Sequence, residues 1–116
     1  MQDYGLVSII TPTWNCAAFI CNTIKSVQAQ TYTNWELLIQ DDCSTDGTDK
    51  VIAPLEDEDI RIKYEANLQN SGAAITRNNA LKRAKGRWIA FLDSDDMWMP
   101  EKLERQLRFM VENDYA

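Results

Sequence analysis

Asp93, Asp95 and Asp96 fall within four residues, with Ser94 between the first two. Like charges about 4 Å apart repel by roughly 4 kcal/mol at an effective dielectric of about 20, so such a cluster calls for something cationic. Carboxylates are hard oxygen ligands, and a divalent cation shared with the phosphates of a nucleotide would suit them. A plainer reading competes: an acidic turn entering a helix, with Pro100 at a first helical position and acids complementing the helix dipole. A second acidic pair, Asp41 and Asp42, follows another apolar run, and a carboxylate at a strand tip can accept hydrogen bonds from a base or ribose.

The string from Asp42 to Gly47 begins like a calcium loop, but its twelfth position is Ala53 instead of a bidentate Glu, which excludes an EF-hand. Ser44, Asp46 and Thr48 read instead as an Asx-type turn that caps the next helix. Neither G-x-G-x-x-G nor G-x-x-x-x-G-K is present, so a diphosphate would depend on a metal and side-chain cations. Arg77 is the candidate for a bidentate phosphate or base contact, weighed against a solvated helix arginine. Trp14 and Trp98 suit either stacking on a base or sugar, or a place in the core or a cleft wall.

The elements that would position these groups alternate regularly. Strands are expected over Leu6–Thr11, ended by Pro12, then over Trp35–Gln40, Ile60–Tyr64 and Trp88–Leu92. The last is an unbroken apolar run, the pattern of a strand covered on both faces. Helices are expected from an Asn15 N-cap to about Gln30, through Val51, Ile52 and Leu55, and from Ala73 to Ala84. A fourth is opened by Pro100, with Leu103, Leu107, Met110 and Val111 on one face and Glu101/Arg105 and Glu104/Arg108 as i,i+4 pairs. Strand and helix repeated four times imply an α/β parallel sheet with right-handed crossovers. Ligands of such sheets bind beyond the carboxyl ends of the strands, where every chemically suggestive loop of this sequence falls.

Composition narrows the classes. The chain has 116 residues, 45% hydrophobic and 26% charged, which is the make-up of one ordinary globular domain. A net charge of −6 argues against a sequence-independent grip on nucleic acid or anionic lipid. Three cysteines without paired spacing, and no histidine, suggest neither a disulfide framework nor a zinc site and fit a reducing, cytoplasmic compartment. No apolar run approaches the length of a membrane helix, and the N-terminus lacks the pattern of a signal peptide.

Four motifs in order, Val7 to Asn15, Asp41 to Thr48, Asn70 to Asn78 and Asp93 to Asp96, resemble those of the inverting family 2 glycosyltransferases. Departures from the pattern are small: Trp14 stands for the usual Tyr, and Asn79-Ala80 for the common Ala-Gly. The resemblance implies the nucleotide-binding half of a GT-A fold, a Rossmann-like sheet with helices on both faces. It further implies that Thr11, Pro12 and Thr13 border the base, that Asp42 hydrogen-bonds uracil or its equivalent, and that Arg77 lies near base and diphosphate. Asp93, with Ser94 beside it, would contact the ribose or sugar, while Asp95 and Asp96 would bind Mn²⁺ or Mg²⁺ across the two phosphates. The implied partners are a nucleotide-sugar donor and a carbohydrate or lipid-linked acceptor, with any membrane association lying in other segments or partners. In the family the general base lies further downstream, which here means beyond Ala116. Residues 1–116 are therefore expected to be a truncated donor half that holds no catalytic residue and binds without turning over. Two other classes share some of these features: a non-catalytic α/β interaction module, and a nucleotidyltransferase, which normally carries a glycine-rich basic loop where this chain has Thr11–Asn15.

Overall fold

The computed structural model describes residues 2–113. Strands and helices alternate as β1 (Val7–Thr13), α1 (Ile20–Gln28), β2 (Trp35–Asp41), α2 (Thr48–Glu58), β3 (Ile62–Ala66), α3 (Ala73–Arg83), β4 (Trp88–Phe91) and α4 (Lys102–Glu112). All pairings are parallel and the sheet order is β3-β2-β1-β4. The chain therefore moves outward from β1 to β3 and then returns to the other side of β1. That reversal makes β1 and β4 the topological switch point, where open sheets of this kind leave a crevice at the carboxyl edge.

Helices cover both faces, three against one. Val7, Ile9, Leu37 and Ile39 face Ile20, Ile24 and Val27 of α1, Ile52 of α2, and Leu103 and Leu107 of α4. On the other face Ile10 and Leu38 meet Ala80 of α3, with Leu81 and Ala84 packed beside it. This second face also buries polar groups. Ser8 Oγ donates to Glu36 Oε2 at 2.6 Å, and Glu36 receives the Lys85 amide at 2.8 Å and Lys63 Nζ at 3.0 Å. Burial pushes the Glu36 carboxyl up, but these donors outweigh it and hold the group below its ordinary range.

The structure departs from the sequence pattern at several boundaries, each for a local reason. Strand β1 runs through Pro12 to Thr13. Ile10 O accepts from Leu92 on the β4 side, while Thr13 O accepts from Asp42 on the β2 side. Alternation along the strand turns Pro12 toward β4, which has already ended, so the missing proline N–H breaks no ladder. Helix α1 begins at Ile20, and Asn15 does not cap it. Instead Asn15 adopts φ 50, accepts from the Thr45 amide at 2.8 Å and donates its own amide to Ser44 Oγ at 2.8 Å.

Strand β3 starts two residues late because Asp59 holds the preceding turn, accepting from the Arg61 amide and forking with its guanidinium at 3.0 and 2.9 Å. Ile60 is left 89% exposed. The Arg61 fork, working against burial, lowers the Asp59 carboxyl to about 2. Strand β4 is covered on one face only, since Ile89 and Phe91 are exposed on the α3 side. In α4, which opens at Lys102 just after Pro100, Val111 is exposed and the Glu104–Arg108 pair stands at 3.8 Å. Cys16, Cys21 and Cys43 are free thiols. Among the described residues no helix is long and apolar enough to cross a membrane.

Candidate functional site

A groove of about 360 Å³ opens at the carboxyl edge of the sheet, lined by Pro12 and Thr13 at the end of β1 with Trp14 beyond them, Asp42 after β2, and Asn70, Gly72, Ala73 and Thr76 around the start of α3. Its floor is set by Asp42, which is buried. The consecutive amides of Ser71 and Gly72 donate to its two oxygens at 2.6 and 2.9 Å, and Asn67 Nδ2 adds a third bond at 3.0 Å. Gly72 reaches this geometry with φ 89, a left-handed conformation that glycine adopts without Cβ strain. Its position as N-cap of α3 also puts the carboxylate at the positive end of that helix. Burial works against ionisation, yet the Ser71 amide, Asn67 and Gly72 outweigh it and keep Asp42 below the ordinary carboxylate range. The Thr76 hydroxyl also stands beside this carboxylate, but its proton goes to Gly72 O at 2.7 Å; of about four acceptor positions, three protein donors therefore leave one, on Oδ2.

Neighbouring Asp41 is committed to structure. It accepts from the Ser44 amide at 3.0 Å, from Ser44 Oγ and from Tyr64 Oη, both at 2.5 Å. Burial, then this bond, pushes the Tyr64 phenol up. The Asx-type turn is present as Asp46 accepting from the Thr48 amide and hydroxyl, but it does not supply the helix cap, since the N-cap of α2 is Gly47 with no side-chain cap bond; Asp46 also holds the Ala17 amide at 3.0 Å. Thus the β2–α2 loop is tied to the β1–α1 loop on one side of the groove.

Asp93, Asp95 and Asp96 are exposed after β4, and one carboxylate oxygen from each lies within 4.8 Å of the other two. Oxygens about 2.1 Å from one octahedral ion lie at most roughly 4.2 Å apart, so a small contraction around Mg²⁺ or Mn²⁺ would suffice. The all-oxygen donor set fits such a hard ion. The loop is anchored from beneath, because Ser94 turns inward and Thr23 Oγ1 of α1 donates to the Ser94 carbonyl at 3.0 Å. Ser94 Oγ meets Cys16 Sγ at 2.9 Å. Replacing Thr23 by Val leaves that carbonyl unpaired, and we expect a loss of about 1–2 kcal/mol, read by urea denaturation with Thr23→Ser as the near-neutral control.

The residues singled out from sequence are therefore distributed unevenly. Pro12, Thr13 and Asp42 line the groove, whereas Thr11 is fully buried, does not border it, and has a hydroxyl without a hydrogen-bond partner among the described residues. Ser94 faces the protein interior. Arg77 is exposed in the second turn of α3 with no ion pair among the described residues. Trp14 forms an exposed wall of the groove, while Trp98 packs against the core with Lys102 Nζ 5.2 Å from its ring. Ala116, beyond which the general base is expected, lies outside the described residues. Asn67 and Thr23 carried no sequence signal, since their roles depend on partners 25 and 71 residues away.

Known proteins are similar to this chain in sequence and in fold. The family model for glycosyl transferase family 2 matches residues 8–116. The chain is 53% identical over 116 residues to the Escherichia coli UDP-Glc:alpha-D-GlcNAc-diphosphoundecaprenol beta-1,3-glucosyltransferase WfgD, covering 100% of this chain and 45% of WfgD. It is 51% identical over 111 residues to TuaG of Bacillus subtilis (strain 168), a protein named as a teichuronic acid biosynthesis glycosyltransferase, covering 96% of this chain and 44% of TuaG. Among solved structures, S. aureus TarS 1-349 in complex with UDP-GlcNAc superimposes with a TM-score of 0.87 at 32% identity, over 93% of this chain and 32% of that one. The chain thus spans less than half the length of these relatives. With its four motifs set along one edge of a parallel sheet and the family match running over nearly all its length, the chain belongs to glycosyl transferase family 2.

Proposed function

We propose that this chain forms the donor-binding part of an inverting, metal-dependent glycosyltransferase that takes its sugar from a UDP-sugar in the synthesis of a surface polysaccharide, with the general base supplied from beyond Ala116. The observation that carries this reading is Asp42, held ionised on the floor of a nucleoside-sized groove, at the same sheet edge as the three clustered carboxylates. Pro12, Thr13 and Asp42 would border and read the base. Arg77, with no ion pair among the described residues, would reach the diphosphate as a bidentate donor. Asp93 would contact the ribose or sugar, and Asp95 with Asp96 would hold Mn²⁺ or Mg²⁺. When bound, that ion supplies a Lewis acid to the departing nucleoside diphosphate.

The donor class is supported by TarS, solved with UDP-GlcNAc, and by WfgD, named for UDP-Glc. WfgD is also named for a diphosphoundecaprenol acceptor, which favours a lipid-linked acceptor here and work at the cytoplasmic face of a membrane. Calorimetric titration of UDP with and without Mn²⁺ tests the reading. We expect binding that is tightened by the metal, and an Asp95→Ala chain in which that metal-dependent gain is gone while residual metal-free binding persists. Affinity indifferent to Mn²⁺, or unchanged by the substitution, would count against it.

A further inference from the structure

Asn67, the residue that follows β3, is buried and uses its entire side-chain hydrogen-bonding capacity. Nδ2 donates to Asp42 Oδ1 at 3.0 Å and to Thr76 Oγ1 at 2.9 Å. Oδ1 accepts from Gln40 Nε2 and Asn79 Nδ2, both at 2.9 Å. Two donors and two lone pairs is all that a carboxamide has.

The direction of every bond in this network is fixed from one end. Arg83 can only donate, and its Nη1 lies 2.8 Å from Gln40 Oε1, so Gln40 must turn Nε2 toward Asn67. Asn67 must then present Oδ1 to Gln40 and its N–H groups to Asp42 and Thr76. Thr76 agrees, because its hydroxyl proton goes to Gly72 O at 2.7 Å, leaving it an acceptor toward Asn67. A buried chain of oriented dipoles therefore runs from the last turn of α3 to the groove, and a fully satisfied network of this kind fixes one geometry.

We propose that Asn67 is a positioning residue for base selection: by occupying Asp42 Oδ1 together with the Ser71 amide, it turns the one remaining acceptor position, on Oδ2, toward a single ring N–H of the nucleotide base. The inference rests on the donor-site reading above and deepens it. Uracil offers such an N–H, whereas cytosine presents a lone pair at the same ring nitrogen and would face the carboxylate repulsively. Asn67 thus contributes to preference for UDP over CDP without touching either nucleotide.

The test is a paired titration of UDP and CDP, with Mn²⁺, into the parent chain, Asn67→Asp and Asn67→Ser. Asn67→Asp sets a second carboxylate against Asp42 in nearly the same volume, and Asn67→Ser removes the amide without adding charge. We expect UDP affinity to fall about tenfold or more in Asn67→Asp while CDP affinity changes little, so that the preference collapses; Asn67→Ser should lie between. Equal losses for both nucleotides would show a merely structural role and overturn the proposal, as would an intact preference in either variant. A third readout needs no variant: the Asn67 side-chain amide resonances of the parent chain should move on adding UDP, and signals unmoved at saturation overturn the proposal. A parent chain that binds no UDP at all defeats the donor-site reading itself, whereas parent binding with an unaltered preference in the variants defeats this inference alone.

Discussion

Exchange of Asp42 for Asn is expected to weaken UDP binding by about tenfold to a hundredfold, and to lower stability by about 2 kcal/mol, in a side chain of unchanged volume. Three donors converge on this carboxylate: the Asn67 amide and the Ser71 N–H at Oδ1, and the Gly72 N–H at Oδ2. A carboxamide has one acceptor oxygen, so whichever way it turns, its NH₂ must face at least one of them. A buried donor is then left against another donor, the costly kind of unsatisfied contact. If the amide oxygen stays with Asn67 and Ser71, the NH₂ replaces the open acceptor that faces the groove.

The same substitution carries a pH signature whose sign follows from linkage. The Asp42 carboxyl is held below its ordinary value in the fold, so its stabilisation is present above the unfolded carboxyl range near pH 4 and is lost as pH falls through the lower folded value. Asp42→Asn should flatten the acid limb of the stability curve below about pH 4 and leave the remaining slope to groups such as Asp59, lowered to about 2 by the Arg61 fork. Unchanged UDP affinity in a folded Asp42→Asn chain would remove Asp42 from base recognition.

These expectations show how far residue types alone reach. The order of strands and helices was readable because β1, β2 and β4 are short apolar runs that end in loops of Pro, Asn and Asp, and because α1 and α4 repeat apolar residues at helical spacing. Strand β3 was misplaced because Ile60, Ile62 and Tyr64 alternate equally well from either start; the Asp59–Arg61 fork, a side-chain bond that periodicity does not encode, chose the later one. The identity of the acidic loops was legible in the same way, but their support was not. Thr11 and Ser94 sit within motifs yet face inward: Thr11 lies just inside the strand tip at Pro12 and Thr13 that reaches the groove, and the loop after β4 turns Ser94 toward Cys16. Asn67 looked like one more polar loop residue, and Thr23 like a polar position on an amphipathic helix; only the meeting of distant segments makes them partners of Asp42 and of the Ser94 carbonyl.

Gly86 is the clearest case of a residue whose role lies in what surrounds it, and Gly86→Ala is expected to cost about 3 kcal/mol or more. A Cβ at this position would lie 2.6 Å from Ser8 Oγ, 2.7 Å from Ser8 N and 2.8 Å from Leu6 O. Two of those atoms are backbone at the start of β1, one of the two inner strands of the sheet, and cannot move aside as a flexible side chain would. The third, Ser8 Oγ, already accepts from the Gly86 amide at 2.8 Å while donating to Glu36. Relief of the clash must therefore either push β4 away from β1 or break the Ser8–Glu36 bond, leaving a buried carboxylate with one donor fewer. Against a total stability of roughly 5–15 kcal/mol for an ordinary domain, such a loss should lower the melting temperature by roughly 10 °C or more in differential scanning calorimetry. Because β4 carries the Asp93–Asp96 loop at its far end, the shift should also weaken Mn²⁺ binding in the fraction that remains folded, whereas Gly47→Ala, with no atom within 4 Å of the added carbon, should lose only what its φ of 87 costs and leave the metal untouched. A Gly86→Ala chain as stable as its parent would mean that β1 and β4 can separate freely, and with that the rigid edge on which both the groove and the acidic loop depend would be gone.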